Sequence, residues 1–390
     1  MATMIEMFGG SVMSPVPDPY PVYRKLRHES PVILLQTIMG EQYMVTRYDD
    51  VFACLKNNAV FSSRSNARGI GVVMGRTILE MDGKEHLRHR ALVSPAFLPH
   101  SLQKHAPAIS AIADELIDGF AREGRADLVQ QFTFVFPMRV ITYIIGVPVE
   151  DYHKFHHWAL DVIGVADNPE RGLESAKKIV DYLRPILERR RREPTDDLLS
   201  KLVHAEIEGH RLTEEEVLSF LRLLLPAGAD TTYRLLGSAL YALLTHRQYL
   251  EEVLADPEKI DWAIEETLRW EAPVQYVSRE PVEDVEVAGV KIPKGAGVQL
   301  AIGSANRDEE HFPDPDRFDL HRRPTDHLPF GFGQHFCAGS HLAKLEARTA
   351  LPKLLHRLRN LRLDPSQECR IVGLAFRSPD RLPVLFDPER

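Results

Sequence analysis

Between Phe330 and Gly339 the chain reads Phe-Gly-Phe-Gly-Gln-His-Phe-Cys-Ala-Gly, crowding Gly331, Gly333 and Gly339 around one thiol. A run of good helix formers from His341 to Leu351 follows at once. Glycine tolerates dihedrals and close approaches that a side chain forbids, so the stretch predicts a tight loop. A helix opening just past the sulfur sets a positive dipole end beside Cys337, which favours the thiolate. One thiolate with no second cysteine nearby suits a single metal bond, and a flat glycine-rich surface leaves room for a large planar ligand. The same residues also admit a small apolar core cysteine or a nucleophile with His335 as its base. Zinc is disfavoured, because Cys54 and Cys369 are distant in sequence and no CxxC pair exists.

The chain has 390 residues and a formal net charge of -8, which argues against a general nucleic-acid binder, whose phosphate contacts need clustered Lys and Arg. Three scattered cysteines do not make a disulfide framework and point to a reducing, cytoplasmic home. Met1 to Pro19 lacks the grammar of a signal peptide, and nothing reaches the roughly 18 uninterrupted apolar residues of a membrane helix. No membrane anchor is expected.

Periodicity predicts a short helix over Tyr20–Glu29 and strands over Val32–Leu35 and Tyr43–Thr46, turning near Gly40. Helices follow over Ser101–Arg122, Phe132–Ile145, Asp151–Val165, Leu173–Arg192, Thr213–Thr245 and Glu258–Trp270, with short strands at Val285–Val290, Val298–Ala301 and Leu382–Phe386. Arg189 to Arg192 read as a solvated helix end beside Glu188 and Glu193, in preference to a nucleic-acid patch. The whole chain, residues 1–390, reads as one continuous, mainly α domain with small β-sheets.

Thr213 and Glu216 form a capping-box pattern that should open the longest helix, carried by Leu218, Leu221, Leu224 and Leu225. Its middle, Pro226-Ala227-Gly228-Ala229-Asp230-Thr231-Thr232, puts a proline, a glycine and polar groups into an apolar core helix, so a bulge that admits a small ligand is expected there. The alternative is structural: threonine hydroxyls back-bond to carbonyls in bent helices, and Asp230 is a satisfied buried acid.

The loop resembles the signature of the cytochrome P-450 family, Phe-Gly-x-Gly-x-His/Arg-x-Cys-x-Gly, met by Phe330, Gly331, Gly333, His335, Cys337 and Gly339. Ala227, Gly228, Asp230 and Thr231 are similar to the family's oxygen-activation motif, and Glu266 with Arg269 to its Glu-x-x-Arg. The resemblance implies the family fold, with the long central helix and the helix after the cysteine sandwiching haem b, and Cys337 as the axial thiolate. It implies that Thr231 holds oxygen or an ordered water and that Asp230 relays protons for splitting dioxygen. Arg317, in the meander His311–Phe318, would partner Glu266 and Arg269. His86, Arg90, Arg279 and His335 would hold the haem propionates. The implied activity is a haem-thiolate monooxygenase that hydroxylates or epoxidises a hydrophobic small molecule, with electrons from a separate ferredoxin and ferredoxin reductase.

The segments that build pockets in this family supply Ile70, Val72, Val73, Met74, Ile78, Leu79, Trp158, Val162, Ile163, Leu224, Val274, Val277, Leu374 and Phe376 here, mostly apolar. Gln275, Tyr276 and Arg76 either anchor a polar substrate group or face solvent. Arg88, His89, Arg323 and Lys344 form either a docking face for an acidic electron carrier or scattered surface charge. Two other functions remain open: a haem-thiolate enzyme that uses peroxide, and a non-catalytic haem-binding sensor.

Overall fold

A computed structural model describes residues 3–10, 14–37 and 40–389 of the chain. Tyr20–Glu29 is helical as expected, with Arg27 and His28 in the last turn, where cations complement the helix dipole. Val32–Thr37 and Gly40–Val45 pair antiparallel from Val32↔Val45 to Thr37↔Gly40, and the turn itself lies outside the described residues, as does part of the segment before Pro19. Gly297–Leu300 adds to Gly40–Val45 in parallel, then Val277–Pro281 and Phe61–Ser62 complete a five-stranded sheet. This sheet covers its own apolar cluster around Val45, Val51, Val298 and Leu300.

The centre is helical, with boundaries that local chemistry shifts. Ser101–Arg122 divides into Pro99–Gln103 and Ala106–Asp118, the second carrying a proline in its first turn, where the missing N–H costs nothing. Phe132–Ile145 resolves into a single π turn, Val129–Thr133, and the helix Val135–Ile145, which stops at Gly146 with φ 90. Tyr152–Ile163 matches its expectation within a few residues. Pro169–Arg192 starts a turn earlier than periodicity suggests, because Asn168 accepts from the Arg171 N–H at 3.1 Å and Pro169 presets the first turn. At its far end Arg190 pairs with Asp197 at 2.6 Å and Arg191 with Glu214 at 3.0 Å, so the arginine run serves helix–helix contacts. Val285–Val290 is two strands, Val285–Val287 and Val290–Ile292, joined by Ala288 and Gly289 at φ 47 and 79, the positive pair a tight hairpin requires.

The capping box at Thr213 forms as read, with Glu216 N–H donating to Thr213 Oγ1 and Thr213 N–H to Glu216 Oε2 at 2.7 Å. The helix Glu214–Thr245 then runs for 32 residues through Pro226 as one continuous α-helix, with no π turn where the bulge was expected. It packs against Val135–Ile145, Tyr152–Ile163, Ile260–Trp270 and Ser340–Arg357, and most of its residues are buried in the large helical core. Being surrounded on several sides holds the proline turn helical despite the lost donor. Among the described residues no helix is long and apolar enough to cross a membrane.

Candidate functional site

Gly331 and Gly333 take φ of 70 and 72, the left-handed turns that only glycine adopts freely, and Cys337 N–H closes the loop by donating to Phe330 O at 2.8 Å. Gln334 tethers the loop, accepting from Asn58 at 2.7 Å and donating to Gly83 O at 3.1 Å. A Cβ at Gly339 would lie 4.0 Å from the Cys337 sulfur, an ordinary contact. The helix Ser340–Arg357 starts one residue later. The backbone N–H groups at Gly339 and Ser340, with Arg90, favour the thiolate, while loss of solvation around the sulfur pushes the thiol up, although the residue itself keeps an exposed edge. A bound metal would displace the thiol proton.

Four basic residues converge beside the loop. His86 is 1 % exposed, with neither ring nitrogen hydrogen-bonded among the described residues, and its ring centroid lies 4.3 Å from that of His335. Burial and the neighbouring cations hold His86 down at about 4, hence neutral near pH 7. Arg279 is 7 % exposed and gives its only described bond to the Ser278 carbonyl; burial lowers it to about 10. Arg90 donates to Phe336 O at 2.6 Å. His335 lies 3.5 Å from Asp82, whose carboxylate is itself held by Ser62 and Ser63. Buried donors without carboxylate partners are costly unless an anion meets them.

On the long helix Leu223, Ala227 and Thr231 recur every four residues and keep partial exposure, while Leu224, Leu225 and Ala229 are buried. They form the stripe that neighbouring helices leave uncovered. Leu223 escaped the sequence reading, which chose the core-facing Leu224; the four-residue spacing from Thr231 was the available signal. Thr231 Oγ1 donates to Ala227 O at 2.9 Å, the back-bond that polar residues in apolar helices commonly make. Gly228 is small for packing: a Cβ there would meet Ile141 at 3.1 Å. Asp230 is buried and gripped by Arg234 at 2.8 and 3.0 Å.

Glu266 and Arg269 are both fully buried and paired at 2.7 Å, far from the weak surface pair that spacing alone suggests. Arg269 also donates to the carbonyls of Asn306, Pro315 and Arg317. The second guanidinium at Glu266 is Arg322, at 3.2 Å and 12 % exposed, and it ties down Pro313 O and Asp314 O as well. Arg317 is the wrong residue: its side chain is 57 % exposed and bonds Asp314 and Asp319.

Among the expected pocket residues, Val72 and Leu79 are exposed, Ile70, Val274, Val277 and Phe376 half-buried, and Phe376 bridges to Val274. Val73, Met74, Ile78, Val162 and Leu374 are buried. Trp158 packs on Phe155 and Tyr182. Gln275 is fully buried and donates to Ala272 O and Tyr20, which makes it a framework residue. Arg76 pairs with Glu85. Of the expected docking cations, His89 is buried against Glu216, Lys344 pairs with Glu265 and Arg323 stacks on Trp262, leaving Arg88 exposed.

A family described as cytochrome P450 matches residues 148–376. The cytochrome P450 monooxygenase PikC of Streptomyces venezuelae is 37% identical over 358 residues, covering 90% of this chain and 86% of that protein. Among solved structures, cytochrome P450 CYP109Q5 from Chondromyces apiculatus is 39% identical with a TM-score of 0.88 over 96% of both chains. CYP109E1 from Bacillus megaterium, solved in complex with testosterone, is 33% identical with a TM-score of 0.86, covering 95% of this chain and 99% of that one. Similarity of this depth along nearly the whole length agrees with the cysteine loop and its helices, and the chain belongs to the cytochrome P450 family of haem b monooxygenases.

Proposed function

We propose that Cys337 is the axial ligand of the haem iron and that His86, Arg90, Arg279 and His335 receive the propionates. The observation that carries this is His86, buried beside His335 with both ring nitrogens free of described partners, together with buried Arg279, whose bond among the described residues goes to a backbone carbonyl. Such donors fit an anionic, flat group entering edge-on. Phe330, Gly331 and Gly339 shape the loop surface under the ring, and Ala227 with Gly228 the opposite face.

When bound, the haem supplies dioxygen activation and the oxidising power to attack an unactivated C–H bond. Thr231 holds a proton at Oγ1, and breaking its 2.9 Å bond to Ala227 O turns that proton toward the open stripe. Asp230, the adjacent carboxylate, returns a proton to Thr231. Glu266, Arg269 and Arg322 are structural: they fix the meander before the cysteine loop.

The substrate is a hydrophobic small molecule, hydroxylated or epoxidised, with Ile70, Val72, Leu79, Leu223, Val274, Val277 and Phe376 nearest to it. The apolar character of these exposed and half-buried side chains and the steroid held by a similar enzyme support this class. Electrons come from a separate ferredoxin and its reductase, and the enzyme works in the cytoplasm, where its three free thiols stay reduced.

Reduced protein treated with carbon monoxide should show the far-red-shifted Soret band of a thiolate ligand, and Cys337→Ala should abolish it. An unchanged band in that variant would overturn the assignment. Screening steroids, fatty acids and macrolactones for a low-spin to high-spin shift identifies the substrate class; a shift with hydrophilic compounds alone would refute the hydrophobic reading.

A further inference from the structure

A half-open cavity of about 280 Å³ lies beside the long helix, lined by Gln130, Phe134, Leu160, Tyr233, Phe376 and Asp380 among others. That is close to the lower end of the roughly 300–1,000 Å³ that small-molecule sites occupy. Its walls are aromatic and aliphatic: Phe134 meets Tyr233 edge-on at 4.9 Å, and Leu160 keeps 39 % of its surface exposed. Arg234 also faces the cavity, with its guanidinium 4.7 and 5.4 Å from the ring centres of Tyr233 and Phe376. Asp230 neutralises that cation, accepting at 2.8 and 3.0 Å, and Ser378 Oγ accepts its third bond at 3.3 Å. Asp380 is exposed and pairs with no cation among the described residues; its Oδ1 accepts from the Arg381 N–H at 2.9 Å.

We propose that this cavity is a second small-molecule site for an uncharged, ring-built lipophile carrying a hydroxyl group, and that the Phe376 ring transmits its occupancy to the substrate pocket. The transmission rests on the reading of Phe376 as a wall of that pocket. An organic cation would meet the Arg234 charge over the same ring faces, and an anion would meet the Asp380 carboxylate. An uncharged lipophile meets neither repulsion, buries apolar surface against the rings, and can donate its hydroxyl to Asp380. Phe376 alone among the lining residues also stands among those nearest the substrate, and its backbone bridges to Val274 of that set. The chain around it is held: Gln275 N–H donates to Ala375 O at 2.9 Å and Arg377 Nη1 to Gly373 O at 2.6 Å. Gly373, at φ 115, closes the turn so tightly that a Cβ there would collide with Phe376 O. With the backbone fixed, the ring is the part that can turn, between staggered rotamers. A ligand in the cavity excludes the ring from that side and favours the rotamer that narrows the substrate pocket.

The test counts testosterone bound to the haem-loaded protein by equilibrium dialysis and follows the haem spin state in the same titration. Dialysis counts both sites, whereas the spin shift reads the haem pocket. The parent should bind two molecules, with the high-spin fraction rising on the first and falling back on the second. Leu160→Trp, which fills the cavity from its exposed wall, should bind one molecule with a single rising phase. Phe376→Ala should still bind two but show no second spin phase. Androstenedione, with a carbonyl in place of the hydroxyl, should bind the cavity severalfold more weakly. One molecule with the same spin shift in parent and Leu160→Trp refutes the second site and leaves the substrate reading standing. One molecule without a spin shift, lost in Leu160→Trp, supports the site and overturns the steroid-like substrate. No binding at all refutes both for this ligand class. Two molecules with a single spin phase in the parent, or a second phase that survives Phe376→Ala, refutes transmission through the ring, and equal cavity binding of androstenedione refutes the contact with Asp380.

Discussion

Replacing Arg322 by alanine should destabilise the protein far more than replacing Arg317, although only Arg317 lies in the segment that sequence spacing favours. Arg322 is 12 % exposed and gives one bond to the fully buried Glu266 at 3.2 Å, with further bonds to Pro313 O and Asp314 O at 2.6 and 2.9 Å. At 3.2 Å and an effective dielectric of about 20, the attraction to Glu266 is about 5 kcal/mol before desolvation. Glu266 keeps Arg269 as counter-ion in the variant, so the loss reduces to one charge-assisted bond and two weakly compensated carbonyls, about 2–4 kcal/mol. Arg317 sits 57 % exposed between Asp314 and Asp319, where solvent screening leaves about 0–1 kcal/mol. Since folded proteins are stable by only about 5–15 kcal/mol, the Arg322→Ala shift in urea midpoint is readily measured, and a cycle with Glu266→Gln should give coupling of about 1.5–3 kcal/mol. A midpoint shift in Arg317→Ala as large as in Arg322→Ala, or coupling under about 0.5 kcal/mol, would refute the geometric argument.

Three further outcomes are expected. Glu346 is fully buried with neither carboxylate oxygen bonded among the described residues, and burial raises it well above the ordinary carboxylate range. Its contribution is therefore intact in acid and lost as pH rises past that range, so Glu346→Gln should gain stability over the parent near pH 7 and lose the advantage toward pH 4, as read by thermal unfolding across pH. Arg279→Ala should release haem to a scavenger protein about tenfold faster or more, the equivalent of one lost charge-assisted bond of about 1.5–3 kcal/mol; an unchanged release rate would remove Arg279 from the propionate set. Gly228→Val should cost about 1–3 kcal/mol in urea unfolding, because its side chain meets Ile141, and Ile141→Ala should recover part of that loss.

The cysteine loop was legible because its glycines write its backbone directly: Gly331 and Gly333 mark left-handed turns that other residues rarely adopt, and Cys337 stands on the loop they make. Thr213 with Glu216 announced the long helix for a similar reason, a local hydrogen-bond pair written at fixed spacing. Leu223 against Leu224 was harder. One residue turns a helix by about 100°, and which face stays uncovered depends on where the surrounding helices pack.

What the chain dictated alone was everything carried by neighbours in sequence: the loop, the caps, the helical bulk and, through short motifs, the family. Pairings between distant residues were left to the tertiary fold. Arg322 displaced Arg317 because the meander's path brings its guanidinium to the buried Glu266. Likewise Pro226 stayed helical because packed neighbours held the turn, and Arg234 met a cavity that strands and helices far apart in the chain enclose. Burial and long-range charge contacts are properties of assembled surfaces, and no local pattern encodes them.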